Sequence, residues 1–158
     1  MMTVRSIAFA LALAFATPLG AFAEESAITI PIRQFIDAFN KGDVKSAEAA
    51  HVADVVIIDE PAPFIWRGVG AFQAWLADLG RDEAARGRSD GSVVLGPAKR
   101  TEIAGDSAYV ILPADYVFKE KGVPVHEPSQ MTFSLRNTAA GWKITSWTWT
   151  GPRAMPRD

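Results

Sequence analysis

The spacing of apolar residues changes twice along this chain, and each change predicts a different element. Ile32, Phe35, Ile36 and Phe39 fall at i, i+3, i+4 and i+7, one face of a helix. Pro31 suits the first turn of that helix and Gly42 its end. Asp43 then caps a second, shorter helix running to about Ala50. Val55 to Asp59 reads as a short strand, and PAPFIWRG after it as an irregular hairpin ending in a Trp-bearing fragment. Val69, Phe72, Trp75, Leu76 and Leu79 form a further helical stripe, with Gly68 at the N-cap position and Gly80 where the helix would fray. RDEAARGRSDGS (81–92) has no apolar period and reads as a helix tail followed by a mobile polar loop.

Beyond residue 92 the period falls to two. Val93 to Ile103 is a strand interrupted at Gly96-Pro97. Ala108 to Phe118, Val123 to Arg136 and Trp142 to Thr150 are three longer strands joined by short turns, which predicts an antiparallel meander. Helices first and strands after them make an α+β domain, with helices on one sheet face. Strict alternation in KITSWTWT puts Trp147 and Trp149 on one face and Ile144 on the other. A sheet apolar on both sides needs a second cover, which predicts a homodimer.

The N-terminus changes the picture. MMTVRSIAFALALAFATPLGAFAEES has a basic residue, Arg5, then a short apolar run from Ile7 to Ala16, then the small-x-small triplet Ala21-Phe22-Ala23. This is the pattern of a secretory signal peptide over residues 1–23, and the run is short for an uncleaved anchor helix. The mature domain is then 24–158, a periplasmic or secreted protein with no membrane association after cleavage. Export permits disulfides, but the chain contains no cysteine, so its core must suffice alone. The absence of Cys also removes thiol nucleophiles and Cys-based metal sites. The net charge is −2 and the basic residues are scattered, which speaks against nucleic acid as a partner. The two histidines, His51 and His126, lack metal-ligand spacing, so no metal is assigned. No phosphate loop, serine-nucleophile motif or cofactor signature is present, so no cofactor is assigned.

Four stretches in order carry a resemblance: FIDAFNKGD (35–43), VVIIDEP (55–61), WRGVGAFQAWL (66–76) and MTFSLRNTAAGWKITSWTW (131–149). Together they resemble the nuclear transport factor 2-like superfamily, which includes ketosteroid isomerase, scytalone dehydratase and the SnoaL-type cyclases. The resemblance implies a cone-shaped, curved antiparallel sheet with N-terminal helices on its concave face, of cystatin-like type. It also implies a pocket for a small molecule, used by enzymes and non-enzymes alike. The isomerase's general-base Asp precedes a Pro at the end of the equivalent strand. Glu60-Pro61 matches by motif, and Asp59 by ungapped count from Gly42-Asp43. Phe35 stands where the isomerase has its oxyanion-hole Tyr, and Gln130 or Met131 where it has a second, protonated acid.

The candidate chemistry centres on IIDEPAPFIWRG (57–68). An acid at the mouth of such a cavity, flanked by Phe64 and Trp66, is partly desolvated and becomes a better base near neutral pH. Alternation allows only one of Asp59 and Glu60 to face inward. The bland alternative is a pair of acids in a solvated turn before Pro61 and Pro63. His126 is a candidate acid/base partner, or a surface histidine beside Glu127. His51 reads as a helix C-terminal residue that complements the dipole. Trp66, Tyr116, Trp147 and Trp149 are candidate walls for a small apolar or aromatic molecule, with Phe35, and with Gln130 as a hydrogen-bond donor. Two functions follow: a cofactor-free isomerase, dehydratase or cyclase using a carboxylate base, or a non-catalytic binding or dimeric assembly module.

Cleavage after Ala23 is expected on export, leaving Glu24 as the first residue. N-terminal sequencing of the exported protein checks this, and Met1 retained in a membrane fraction would contradict it.

Overall fold

The computed structural model describes residues 19–157. Most of the expected signal peptide lies outside these residues. Three helices and eight strands follow in the order α1 (Leu19–Asn40), α2 (Val44–Ala49), β1 (His51–Ile58), β2 (Ile65–Arg67), α3 (Ala71–Arg86), β3 (Arg88–Leu95), β4 (Arg100–Ala104), β5 (Ser107–Glu120), β6 (Val123–Thr138), β7 (Gly141–Thr150) and β8 (Met155–Pro156).

Helix α1 buries Ile28, Ile32, Phe35 and Ile36, the predicted stripe extended one turn upstream. Pro31 therefore lies inside the helix and not in its first turn, and Glu24 lies within it too. The apolar stripe outweighs the single backbone hydrogen bond that Pro31 cannot donate. Asp43 caps α2 as expected, its Oδ1 accepting from the Ser46 N–H at 3.1 Å. Helix α3 starts after Gly70, passes through Gly80 and stops at Gly87. Gly87 sits at φ 69°, a left-handed cap that offers its N–H to the carbonyls of Glu83 and Ala84.

The strands form one curved, unclosed sheet in the order β2-β1-β7-β6-β5-β3, with β4 extending the β5 edge and β8 pairing with β6. The meander β5–β6–β7 is antiparallel as predicted. The sheet as a whole is mixed, because β1 runs parallel to β7. No hairpin joins those two strands, so turn geometry imposes no direction on them.

Two segments depart from the sequence reading. Residues 88–92, expected as a mobile loop, are the first half of edge strand β3. Nothing apolar marks them; partners elsewhere hold them. Arg88 pairs with Glu120 across the ladder, and Lys119 Nζ meets Asp90 at 2.9 Å. Gly91 admits the Tyr116 ring so closely that a Cβ there would lie 2.1 Å from the phenolic oxygen. The Asn40 amide both donates to the Val93 carbonyl and accepts from its N–H, each at 2.8 Å, which ties α1 to this edge.

The second departure is in β7. Ser134 pairs with Ser146, but the next β6 residue, Leu135, pairs with Ile144. Thr145 is the extra residue of a β-bulge, and its hydroxyl donates to the Ser134 carbonyl at 3.0 Å. The bulge resets the alternation. Ile144 and Trp147 therefore both face the core, 0 % and 3 % exposed, opposite Leu135 and Phe133. The expectation that Ile144 and Trp147 lie on opposite faces is corrected by this one inserted residue.

Candidate functional site

The helices and the concave side of the sheet do not close completely. Between them lies a cavity with about 550 Å³ of empty space, its open mouth included. Its floor is aromatic and aliphatic: Phe35, Ile36 and Phe39 of α1, Trp75 and Leu79 of α3, Val93 of β3, Met131 of β6, and Trp147 and Trp149 of β7. Its rim is polar: Asp59, Glu60, Asp82, Arg88, Tyr116 and Glu127.

Both Asp59 and Glu60 line this cavity, contrary to the expectation that only one could. Strand β1 ends at Ile58, so the alternation that separates neighbouring side chains no longer operates at 59 and 60. The turn closes on itself, with the Asp59 N–H bonded to the Phe64 carbonyl and the Phe64 N–H to the Pro61 carbonyl. Within it the two acids are treated differently. Asp59 Oδ2 accepts from Trp75 Nε1 at 2.7 Å, and Oδ1 from the Glu60 N–H at 2.8 Å. Burial pushes the Asp59 carboxyl up, and these two donors partly offset the shift. Glu60 keeps contact with solvent, and its carboxylate has no hydrogen-bond partner among the described residues. Desolvation raises its pKa to about 7, helped by the charges of Glu127 and Asp59 and opposed by Arg88 and Arg86.

Glu127 stands in the sequence beside the candidate His126. It is 2 % exposed and points inward. Arg88 Nη2 reaches it at 3.1 Å, while Arg88 Nε binds Glu120 at 3.0 Å and the guanidinium lies 4.4 Å over the Phe118 ring. Burial still pushes the Glu127 carboxyl above its ordinary range. Tyr116 donates its hydroxyl to Glu83 in a close contact, and burial, with that bond, pushes the phenol up.

The other predicted residues divide between wall and exterior. Phe35, Tyr116, Trp147 and Trp149 line the cavity. Trp66 does not; it is buried, and its Nε1 donates to Asp78 at 2.8 Å. Trp75, which the helical stripe marked only as core, stands against Asp59 instead. Gln130 has the opposite parity to Met131 on β6 and faces away. His126 also points outward and pairs with Asp115 at 3.1 Å, remote in direction from both acids. His51 is buried against Phe35 and Phe72. Its Nδ1 lies 2.9 Å from the Ala47 carbonyl, so Nδ1 carries the proton. Desolvation lowers its pKa to about 4, so it serves the helix end as a neutral donor, not as a cation. The inward acid Glu127 was legible by counting back in twos from Leu135, Phe133 and Met131. Arg88 carried no such signal, since its strand was not visible in sequence. Among the described residues no group of three or more His, Asp or Glu could hold a metal ion.

The SnoaL-like domain profile matches residues 30–149. The chain belongs to the SnoaL-like domain family. No curated protein sequence matches it. Many solved structures share the fold of this SnoaL-like chain. A hexachlorocyclohexane dehydrochlorinase from Novosphingobium barchaimii superposes with TM-score 0.73 at 12% identity, over 89% of this chain and 94% of that one. A ketosteroid isomerase-like protein from Erwinia carotovora atroseptica gives TM-score 0.64 at 19% identity, over 82% and 97%. An NTF2-like protein with a cystatin-like fold from Novosphingobium aromaticivorans gives TM-score 0.66 at 21% identity, over 83% of each. At these identities the likeness establishes the α+β fold of the superfamily.

The Arg88–Glu127 pair is the test of this electrostatic description. Arg88→Met leaves Glu127 buried without its cation and is expected to cost about 3 kcal/mol of stability near pH 8. Without Arg88 the folded-state pKa of Glu127 rises further, so the penalty is full above that pKa and fades as pH falls and the carboxyl protonates. Adding Glu127→Gln should restore most of the loss, as read by urea denaturation.

Proposed function

We propose that this SnoaL-like protein is exported and converts a small aromatic or apolar molecule without a cofactor, by removing a proton from carbon. An isomerase, dehydratase or cyclase reaction fits that step. The observation that carries the reading is Glu60: a carboxylate on an aromatic-lined cavity, free of hydrogen-bond partners among the described residues, with a pKa of about 7. A base of that strength is half ionised at neutral pH and strong enough to take a proton. Asp59 is the weaker candidate, because Trp75 and the Glu60 N–H already occupy its two oxygens. Its part is to hold the turn that presents Glu60. The solved structures named as a dehydrochlorinase and as isomerase-like support a small-molecule-converting role for this fold. Periplasmic or secreted location rests on the N-terminal pattern, and none of the described helices is long and apolar enough to cross a membrane.

We also propose self-association through the outer sheet face. Val56, Ile58 and Tyr109 stand there among Thr132, Ser134, Ser146 and Thr148. Ile58 is 47 % and Tyr109 40 % exposed. Light scattering at micromolar concentration should give twice the chain mass, and a persistent monomer would contradict it.

Proton abstraction is read directly by incorporation of deuterium from D₂O into a ligand that co-purifies with the protein. The exchange rate should rise with pH and level off above about 7, because only the ionised Glu60 is a base. Glu60→Gln should slow exchange by about 10²–10⁴, while Asp59→Asn has a smaller effect. Equal exchange in the wild type and Glu60→Gln would favour the non-catalytic binding or assembly module.

A further inference from the structure

We infer that the ligand of this cavity carries a positive charge beside its aromatic or apolar body, as a protonated amine or a quaternary ammonium. The inference rests on the small-molecule reading above and assigns it a substrate class.

Four carboxylates line the cavity, Asp59, Glu60, Asp82 and Glu127, against one cation, Arg88. That cation is already committed. Its nitrogens meet Glu120 and Glu127, and its flat face covers Phe118. An anionic ligand would therefore meet four carboxylates and no uncommitted cation among the lining residues. Asp82 pairs with Arg86 at 2.8 Å, which leaves Asp59 and Glu60 as the uncompensated charges. The donors on Asp59 are a neutral indole and a neutral amide, so its charge is hydrogen-bonded but not balanced.

A neutral ligand filling the mouth would strip water from these two carboxylates and return no charge to them. A cation returns it. The wall suits such a ligand, because Trp75, Tyr116 and Trp149 line the cavity and aromatic rings attract an alkylammonium. Trp147 also lines the cavity and is 3 % exposed, and its buried Nε1–H has no hydrogen-bond partner among the described residues.

Charge is isolated by three probes on one skeleton: 2-phenylethylammonium, 2-phenylethanol and phenylacetate. The last two bear oxygen on the same skeleton without the positive charge. Titrations at pH 8, followed by tryptophan fluorescence and calorimetry, should show the ammonium binding about tenfold or more tightly than the alcohol, a difference within reach of one charge contact. Phenylacetate should be the weakest. The groups that act on Glu60 are Glu127, Asp59, Arg88 and Arg86, two acids against two arginines, so ionised Glu60 itself leaves the net negative charge there. The ammonium's advantage should shrink from pH 8 to pH 5.5, and its binding at pH 7 should release protons to the buffer. Glu60→Gln should remove most of the ammonium's advantage over the alcohol. Alcohol or phenylacetate binding as tightly as the ammonium would overturn the charge inference and leave the small-molecule reading standing. Failure of all three at millimolar concentration would overturn both.

Discussion

The ring of Phe35 is the contact on which the rest of the molecule depends. It lies 5.5 Å from Trp147, 6.1 Å from both Trp75 and Phe72, and 4.7 Å from His51. Those five residues come from α1, β7, α3 and β1, so one cluster joins both large helices to the centre of the sheet. Rings of this size bury much apolar surface, and edge-to-face contacts such as Trp75 on Trp147 add to it.

The aromatic cluster determines the electrostatics of the rim. It excludes water beneath Asp59, Glu60 and Glu127, and burial is the first cause of the upward shift in all three. Trp75 belongs to both systems at once: its ring packs on Phe35 and Trp147, while its N–H holds Asp59. The apolar floor and the tuned acid are thus mechanically linked. Moving α3 would change the cavity's shape and the surroundings of Asp59 together.

Edge strand β3 supplies the opposite wall by a different physical route. It has little apolar surface of its own, and its pairing depends on Arg88, Asp90, Gly91 and the clasp of Asn40 on Val93. These contacts deliver Arg88 to Glu127. The cavity therefore has one wall held by rings and one held by charges and hydrogen bonds, and the polar groups available to a ligand lie where the two meet.

The sequence by itself determined the α+β class, the helix–helix–strand–helix–meander order, the family resemblance and the importance of the Asp59-Glu60 turn. These follow from local spacing: a 3.6-residue stripe through Phe35 and Phe39, a period of two through Tyr116 and Phe133, and acids at a strand end. Tertiary structure decided the rest. The bulge at Thr145 moved Ile144 to the core side, because one extra residue inverts every later side chain. The 88–92 strand exists only through partners far away in sequence. The end of β1 at Ile58 released both acids toward the cavity, and parity on β6 sent Glu127 in while His126 and Gln130 went out. Each of these depends on which strand lies beside which and in what register, a relation between distant residues that no local pattern encodes.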